Sequence, residues 1–355
     1  MINRTAAADA LHQSGDRDEA RELFAAAERM QQEHQPQFDL LYSLQGFQYC
    51  DLLLAPAERA AWRVLSGVSF QLAIPTATEA GAANLPDSHD ADHEVAKLAR
   101  RFGPRPSDAE SPGDFRDKSG GSADSPDERE GAQTASWKLT PLALTDAERT
   151  TALDACTEAE CRCKKLLEWR QPNDSILDIA LEDLTLARAT LYASLLRADS
   201  SFSLLPSSFQ ALSAAVHGLR KAGTINELPK GLLTAAVWHA WCGERSPAIE
   251  ALNEALQIAQ RGPMPLYHAD ILLTRARLFA VSVPSTGPVP TGQPATESGS
   301  ADSNESASGN QPYPWDSSPQ EDLREARRLI AKHGYWRRKE ELEDAEIAIF
   351  GAVQA

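Results

Sequence analysis

The sequence predicts an all-α protein, and three observations carry the prediction. Aromatic residues make up 6% of the chain while hydrophobic residues make up 42%, and an alanine-rich core suits packed helices better than strands. Apolar and small side chains recur every three or four positions, which is the period of one helix face. Single glycines such as Gly243 and Gly262 end these periodic stretches, as expected at helix ends.

The clearest helical pattern covers residues 228–259, which we interpret as two amphipathic helices joined by a turn at Gly243. Leu232 and Ala236 share one face of the first helix. The small and apolar positions of the second helix are Ala248, Leu252 and Ala255. Short side chains at a crossing let two helices approach to about 8–10 Å. The spacing resembles the tetratricopeptide repeat, a helix–turn–helix unit of about 34 residues that stacks into a superhelix.

The same pattern predicts N-terminal repeat hairpins over residues 1–72. Residues 1–32 repeat its small and apolar positions at Ala8, Gly15, Ala20, Phe24 and Ala27. The next unit has Tyr42, Gly46 and Tyr49 on its first helix and residues 57–67 as its second helix. Pro56 is expected in the first turn of that second helix, where its missing N–H costs nothing.

Two segments lack any apolar period and are predicted to be disordered. Residues 73–143 form an acidic linker and residues 281–318 an insert, both rich in Ser, Asp, Gly, Pro and Glu. Such segments cannot bury enough apolar surface to offset their ordering entropy. A short helix over residues 93–102 is the one element that the linker pattern allows.

Residues 144–280 are predicted to form the central repeat hairpins, and residues 319–355 the C-terminal helices that complete and cap the stack. Thr145 and Glu148 form a capping box ahead of a helix that ends near Trp169. The helix over 176–197 is apolar on nearly every side, so we expect it to be central. The last helices are expected over 321–333 and from 337 to about 352. The prediction is an α-solenoid of about five hairpins with two disordered inserts.

Five pieces of the chain, in this order, resemble the repeat-containing C-terminal region of bacterial signalling ATPases of the STAND class. They are LYSLQGFQYCDLLL, LDIALEDLTLARA, LPKGLLTAA, HADILLTRARL and LIAKHGYWRRKEEL. The resemblance implies a sensor or protein-interaction role. The chain has no G-x-x-x-x-G-K-[ST] loop, so nothing in it supports nucleotide hydrolysis.

In tetratricopeptide stacks the first helix of each hairpin lines a concave groove. The resemblance therefore implies a partner-binding groove lined by Phe47, Asp51, Arg188, Tyr192, Lys230, Trp241 and Arg277. Three cations and three aromatic residues in one trough would favour an acidic peptide or a C-terminal carboxylate. The alternative is that these are ordinary packing residues, since long side chains often cover apolar surface without binding anything.

Composition and spacing argue against several other classes of protein. A net charge of −16 disfavours binding to a phosphate backbone. No run approaches the roughly 20 apolar residues of a membrane span, and five cysteines without a secretory signal indicate a reducing cytoplasm. On one helix Cys161 points away from Cys156 and Cys163, so we expect no metal site. The histidines have no ligand or catalytic spacing, and we predict neither enzyme activity nor a cofactor.

The sequence thus predicts a non-enzymatic protein–protein interaction scaffold that binds a peptide or partner helix in its groove. One alternative is a sensor or regulatory subunit that acts with a separately encoded signalling ATPase. A weaker alternative is RNA binding through the basic run at residues 335–339, which contains Arg337, Arg338 and Lys339. This run is otherwise interpreted as the positive end of a helix followed by a turn.

Overall fold

A computed structural model describes residues 2–67, 143–171, 173–197, 205–280 and 313–350, all of which belong to one packed unit. Within these ranges the chain is all-helical and has no strand, which confirms the all-α part of the predicted fold class. The helices are α1 (Ile2–Gln13), α2 (Arg17–His34), α3 (Ser43–Gly67), α4 (Asp146–Trp169), α5 (Ile176–Arg197), α6 (Leu205–Ala222), α7 (Leu228–Trp241), α8 (Arg245–Arg261), α9 (Pro265–Phe279), α10 (Pro319–His333) and α11 (Lys339–Phe350). A 3₁₀ turn, Trp336–Arg338, precedes α11.

Consecutive helices pack in pairs along the chain: α1 with α2, α5 with α6, α7 with α8, and α9 with α10. Two of these pairs are joined at glycines with positive φ, Gly15 (92°) and Gly243 (79°). Glycine adopts this conformation without the steric cost that a Cβ imposes. At the predicted crossings Ala248, Leu252 and Ala255 are fully buried, so the register predicted for α8 is confirmed.

Helix α3 is one continuous helix of 25 residues with Pro56 inside it, where the sequence predicted a break between two helices. An internal proline removes a backbone hydrogen bond and costs about 3 kcal/mol. Burial compensates, because Leu52, Leu53, Leu54 and Ala57 around it are all buried. Helix α3 contacts α1, α2, α4, α5, α9 and α11, so it is a central element of the packing.

Helix α3 packs against both α4 and α5. Arg63 at the end of α3 donates to the carboxylate of Glu148 at the start of α4. At the other end, Leu166 lies beside Gly46. Helices α3 and α4 are therefore antiparallel, and residues 68–142 connect them. The capping box at Thr145 is present as predicted, and α5 is buried around most of its circumference, as expected. The expected helix at 93–102 lies outside the described residues.

The last residues of the predicted second insert pack against the helices. Trp315 donates from Nε1 to Oδ1 of Asn253 over 2.7 Å, and the guanidinium carbon of Arg275 lies 3.9 Å from the centre of its ring. Ser318 then caps α10 with Glu321. The insert predicted over 281–318 therefore has packed structure from residue 313, whereas residues 281–312 lie outside the described ranges.

The chain after α10 returns to its N-terminal helices. Gly334 ends α10 in the left-handed conformation (φ 66°), and α11 packs against α3 and α9 as well as α10. Arg59 of α3 donates from Nε to Oδ2 of Asp344 over 2.7 Å. The final helix therefore lies along α3. From the sequence it was expected to cap the end of the stack. We call residues 335–350 the C-terminal segment. None of the helices described is long and apolar enough to cross a bilayer.

Candidate functional site

The candidate site is an inner trough lined by one face of each of the helices α3, α5, α7 and α9. Its residues follow the spacing i, i+3, i+4 and i+7, which places them on a single helix face. From α7 and α9 they are Lys230, Leu233, Thr234, Val237, Asp270, Leu273, Thr274 and Arg277; from α5 and α3 they are Arg188, Leu191, Tyr192, Glu58 and Trp62.

Asp51 of α3 lies two turns before Glu58, and its carboxylate forms ion pairs with three cations. Its carboxylate is 2.7 Å from Nη1 of Arg188 and 3.1 Å from Nζ of Lys230. Arg337 of the C-terminal segment donates to both of its oxygens. Burial by itself would raise the pKa of Asp51, but Arg337, Lys230 and Arg188 hold that pKa well below its ordinary value. Asp51 is therefore a buried, ionised anchor.

Glu58 lies two turns further along the same face of α3. Its carboxylate is 3.1 Å from Arg337, 3.4 Å from Arg188 and 3.1 Å from Arg338. Burial opposes ionisation, yet the three guanidinium groups lower the pKa of Glu58 to about 2. Both carboxylates on α3 are thus kept charged by arginines that come from two distant parts of the chain.

Arg338 extends the network to α9. Its Nε donates to Oδ1 of Asp270 over 2.8 Å, and its Nη1 donates to Oε2 of Glu341 over 2.6 Å. The hydroxyl of Tyr335 also donates to Asp270, over 2.9 Å. The 3₁₀ turn places Trp336 outward, with 46% of its surface exposed, while Arg337 and Arg338 are buried.

Charged side chains of the C-terminal segment pair with those that surround the trough. Three carboxylates of α3 and α9 lie among three cations that line the trough, namely Arg188, Lys230 and Arg277, so neither charge is in excess there. To this network the C-terminal segment adds two arginines, which pair with those carboxylates, and one carboxylate, that of residue 341. Buried charges are tolerated when they are paired in this way.

The structure brings together six of the seven residues predicted to line the groove. Asp51, Arg188 and Lys230 form the network described above. The ammonium of Lys230 lies 5.0 Å from the ring centre of Phe47, and the guanidinium of Arg188 lies 5.8 Å from that of Tyr192.

The other two predicted residues are Arg277 and Trp241. Arg277 is buried, its guanidinium lies 4.8 Å from the ring centre of Trp62, and it donates to the carbonyl oxygen of Glu341. Burial lowers the pKa of Arg277 to about 10. Trp241 packs at the end of α7 against the main core and does not line the trough.

Two of the cations predicted to line the groove are paired within the chain. Arg188 and Lys230 hold the carboxylate of Asp51, so they do not offer an unpaired positive trough to an acidic peptide. The basic run at 335–339 does not form an exposed patch either, because Arg337 and Arg338 are buried among carboxylates while only Lys339 of its three cations is exposed. Both differences from the predictions have one cause. The groove cations and the basic run at 335–339 pair with the same set of buried carboxylates.

The network residues that were not picked out as groove residues are Glu58, Asp270, Tyr335, Arg337, Arg338 and Glu341. The expected break at Pro56 concealed that Asp51 and Glu58 lie on one helix face. His12 of α1 was also missed. It is fully buried with both ring nitrogens unpartnered, and its Nε2 lies 3.7 Å from Oδ2 of Asp51. Burial, followed by the charge of Arg337, lowers the pKa of His12 to about 4.

A cavity of about 180 Å³ lies beside the network and includes Asp51, Lys230 and Tyr335 in its wall. The rest of its lining comes from α1, α3, α9 and the residue that precedes α7, and comprises Asp9, Gln13, Leu44, Phe47, Gln48, Glu227, Leu266 and Tyr267. The cavity and the trough share Lys230. Its lining includes three carboxylates and three aromatic side chains.

The chemistry of the site is ion pairing. Within the described ranges, no three histidine, cysteine, aspartate or glutamate side chains are grouped to hold a metal ion. Burial raises the pKa of the Cys50 thiol to about 11 and that of the Cys156 thiol to about 12, so both are protonated at neutral pH. Comparison with known proteins finds no family model that matches the chain, no similar curated protein and no similar solved structure.

Proposed function

We propose that the chain is a non-enzymatic interaction module of the α-solenoid type, which binds a peptide segment in its inner trough. The observation that carries the proposal is the seating of the C-terminal segment. Arg337 and Arg338 enter the trough and pair with Asp51, Glu58 and Asp270. A trough that binds one segment in this way has the chemistry to bind another of the same kind.

The repeated geometry supports the same conclusion. Four helices present equivalent faces to one trough, which is how stacked hairpins build an extended binding surface. Helix α11 follows the arginine pair and buries Leu342, Ala345 and Ile349 along one face. An arginine pair at the start of an amphipathic helix is therefore the ligand type that we propose, which corresponds to the helix-in-groove mode of recognition.

This proposal reverses the charge that the sequence predicted for the partner. The carboxylates of the trough network pair with arginines of the C-terminal segment, so a partner segment should carry arginine. Arginine suits the role because its planar guanidinium bonds two carboxylate oxygens at once. Arg337 does so with Asp51. The tetratricopeptide and STAND-class resemblances remain predictions.

The test uses a labelled peptide of residues 334–350 and the full chain carrying Arg337→Ala and Arg338→Ala, so that its own segment is loosened. We expect this variant to bind the peptide more tightly than the wild-type chain does, since the wild-type trough is occupied. A peptide with both arginines replaced by alanine should not bind. The matched control chain is Lys339→Ala, which alters an exposed cation of the same run.

Equal binding of the arginine-containing and arginine-free peptides to the folded double variant would refute the proposal. If the double variant does not fold, Arg337→Lys keeps the charge but loses the bidentate geometry, and the same comparison is made with it. Affinity purification from the source cells with the loosened variant as bait, beside the wild type, would then identify partners. A partner that competes with the peptide is the expected result.

A further inference from the structure

The cavity beside the network has the size of a small-ligand site. Its volume is about 180 Å³. Drug-sized ligands occupy pockets of about 300–1,000 Å³, whereas an apolar cavity of about 150 Å³ accommodates benzene. A ligand of one ring or one short chain therefore fits, and a peptide does not. The cavity is thus a different kind of site from the trough.

Two carboxylates that line the cavity, Asp9 and Glu227, form no salt bridge with a cation of the described residues. Asp9 accepts only from side-chain amides, over 3.0 Å from Gln13 and over 3.2 Å from Gln48. Glu227 accepts over 3.2 Å from the amide of its neighbour Asn226. Asp51, which also lines the cavity, is fully used by the network. Two carboxyl groups, one from α1 and one from the residue preceding α7, therefore lack a salt-bridge partner at the cavity.

The side chain of Glu227 has no evident role in the local structure of α7. This residue occupies the N-cap position of α7, yet its side chain makes no capping hydrogen bond. Serine, threonine, aspartate or asparagine at this position would normally satisfy the first N–H groups of the helix. Burial raises the pKa of Glu227, which means that the fold opposes its ionisation. A half-buried carboxylate without a counter-ion destabilises the protein, and a cation in the cavity would remove that cost.

Aromatic side chains complete the cavity. Phe47, Tyr267 and Tyr335 line it, and aromatic rings attract cations through their negative faces. The cavity already contains one such contact, between Lys230 and Phe47. Lys230 is paired with Asp51, and its charge offsets only part of the effect of burial, which still raises the pKa of Glu227. An anionic ligand would meet unpaired carboxylates, and a neutral one would leave them without a counter-ion.

We propose that this cavity binds a small organic ammonium ion, with Asp9 and Glu227 as its counter-ions and Phe47, Tyr267 and Tyr335 around its apolar body. Tyr335 belongs to the C-terminal segment, so the cavity is complete only when that segment is seated. A bound ammonium ion therefore favours the seated state. The proposal does not depend on peptide binding in the trough.

The test measures binding of benzylamine to the full chain by calorimetry at neutral pH, beside the neutral isostere benzyl alcohol and the anion benzoate. Tetramethylammonium and 1,4-diaminobutane extend the cation series. We expect at least one ammonium probe to bind, and benzyl alcohol and benzoate to bind at least about tenfold more weakly than the ammonium compounds. Glu227→Gln keeps the shape of the side chain and removes its charge, and it should weaken ammonium binding by about tenfold or more.

The matched control is Glu244→Gln, which changes the same residue type at the N-cap of α8, outside the cavity. It should leave binding unchanged. Glu227→Gln should also raise the melting temperature of the ligand-free protein, because it removes a carboxylate that lacks a salt-bridge partner; Glu244→Gln should not. Asp9→Asn provides a second variant with the same expected loss of binding. Failure of all three ammonium probes to bind, or equal binding by wild type and both cavity variants, would overturn the proposal.

Discussion

Asp51 and Arg337 are 286 residues apart and form a buried ion pair in which each side chain is 1% exposed. The pair joins the centre of α3 to the turn that precedes α11. Since α3 also contacts α1, α4 and α5, this one contact ties the end of the chain to its N-terminal helices. It is also the contact through which the trough recognises the C-terminal segment.

Removing the guanidinium of Arg337 should destabilise the protein strongly. Arg337→Ala leaves Asp51 and Glu58 buried with one cation fewer each, and breaking a buried pair from one side costs about 3–5 kcal/mol. Urea denaturation followed by circular dichroism measures the loss. Lys339→Ala is the control, because an exposed cation outside the network should change stability by no more than about 0.5 kcal/mol. Similar midpoints for the two variants would contradict the buried network.

His12 should make stability depend on pH between about 6.5 and 4. Its pKa is lowered from 6.5 to about 4 in the folded protein, so the unfolded chain takes up the proton first as the pH falls. Stability that is complete above pH 6.5 is therefore lost progressively on acidification, by about 3 kcal/mol in total. His12→Leu should flatten this dependence, because it removes the imidazole whose pKa differs between the folded and unfolded chain.

The measurement for His12 is the free energy of unfolding at intervals from pH 7.5 to about pH 4.5, which stays above the ordinary carboxylate pKa of about 4.3. The exposed His333 supplies the control variant, His333→Gln, which should keep the wild-type slope. An unchanged slope in His12→Leu would show that His12 is not the titrating group. Below this range the carboxylate of Glu58 adds a further loss, because its pKa is about 2 in the folded state.

The elements that depend on local pattern could be predicted from the sequence. The turn at Gly243 and the buried alanines of α8 follow from the spacing of apolar residues every three or four positions. This spacing is visible within the sequence of each helix alone. The capping box at Thr145 is equally local. Helix α3 could not be predicted as one helix, because Pro56 is a local signal for a helix start, whereas the burial that overrides it comes from six other helices.

For the candidate site, too, local spacing predicted some features and not others. Asp51, Arg188 and Lys230 could be picked out because the first helices of the hairpins share a lining face. Their pairing with Arg337 could not, since nothing in local spacing states which distant charge a buried carboxylate will meet. In the sequence the run at 335–339 is a dense basic cluster, and in the structure the helix end at Gly334 and the 3₁₀ turn direct two of its cations inward.

The boundary of the second insert can be tested by two deletions. Removal of residues 284–312 spares Trp315, and removal of residues 284–316 takes it away together with its bond to Asn253 and its contact with Arg275. One hydrogen bond and one cation–π contact of this kind are together worth about 2 kcal/mol. We therefore expect the longer deletion to melt at a lower temperature. Equal melting temperatures would show that the segment 313–316 does not contribute to the fold.

The helix crossing at Ala255 sets the spacing of the hairpin that α7 and α8 form. Ala255 is fully buried, so a larger side chain there has to push the two helices apart. Ala255→Leu should cost about 1–3 kcal/mol through overpacking. Gln257→Leu, two positions along the same helix and exposed, adds a leucine without a crossing to disturb and should be nearly neutral. Calorimetric melting of the two variants separates the effects, and an Ala255→Leu protein as stable as the wild type would mean that α8 meets α7 through another face.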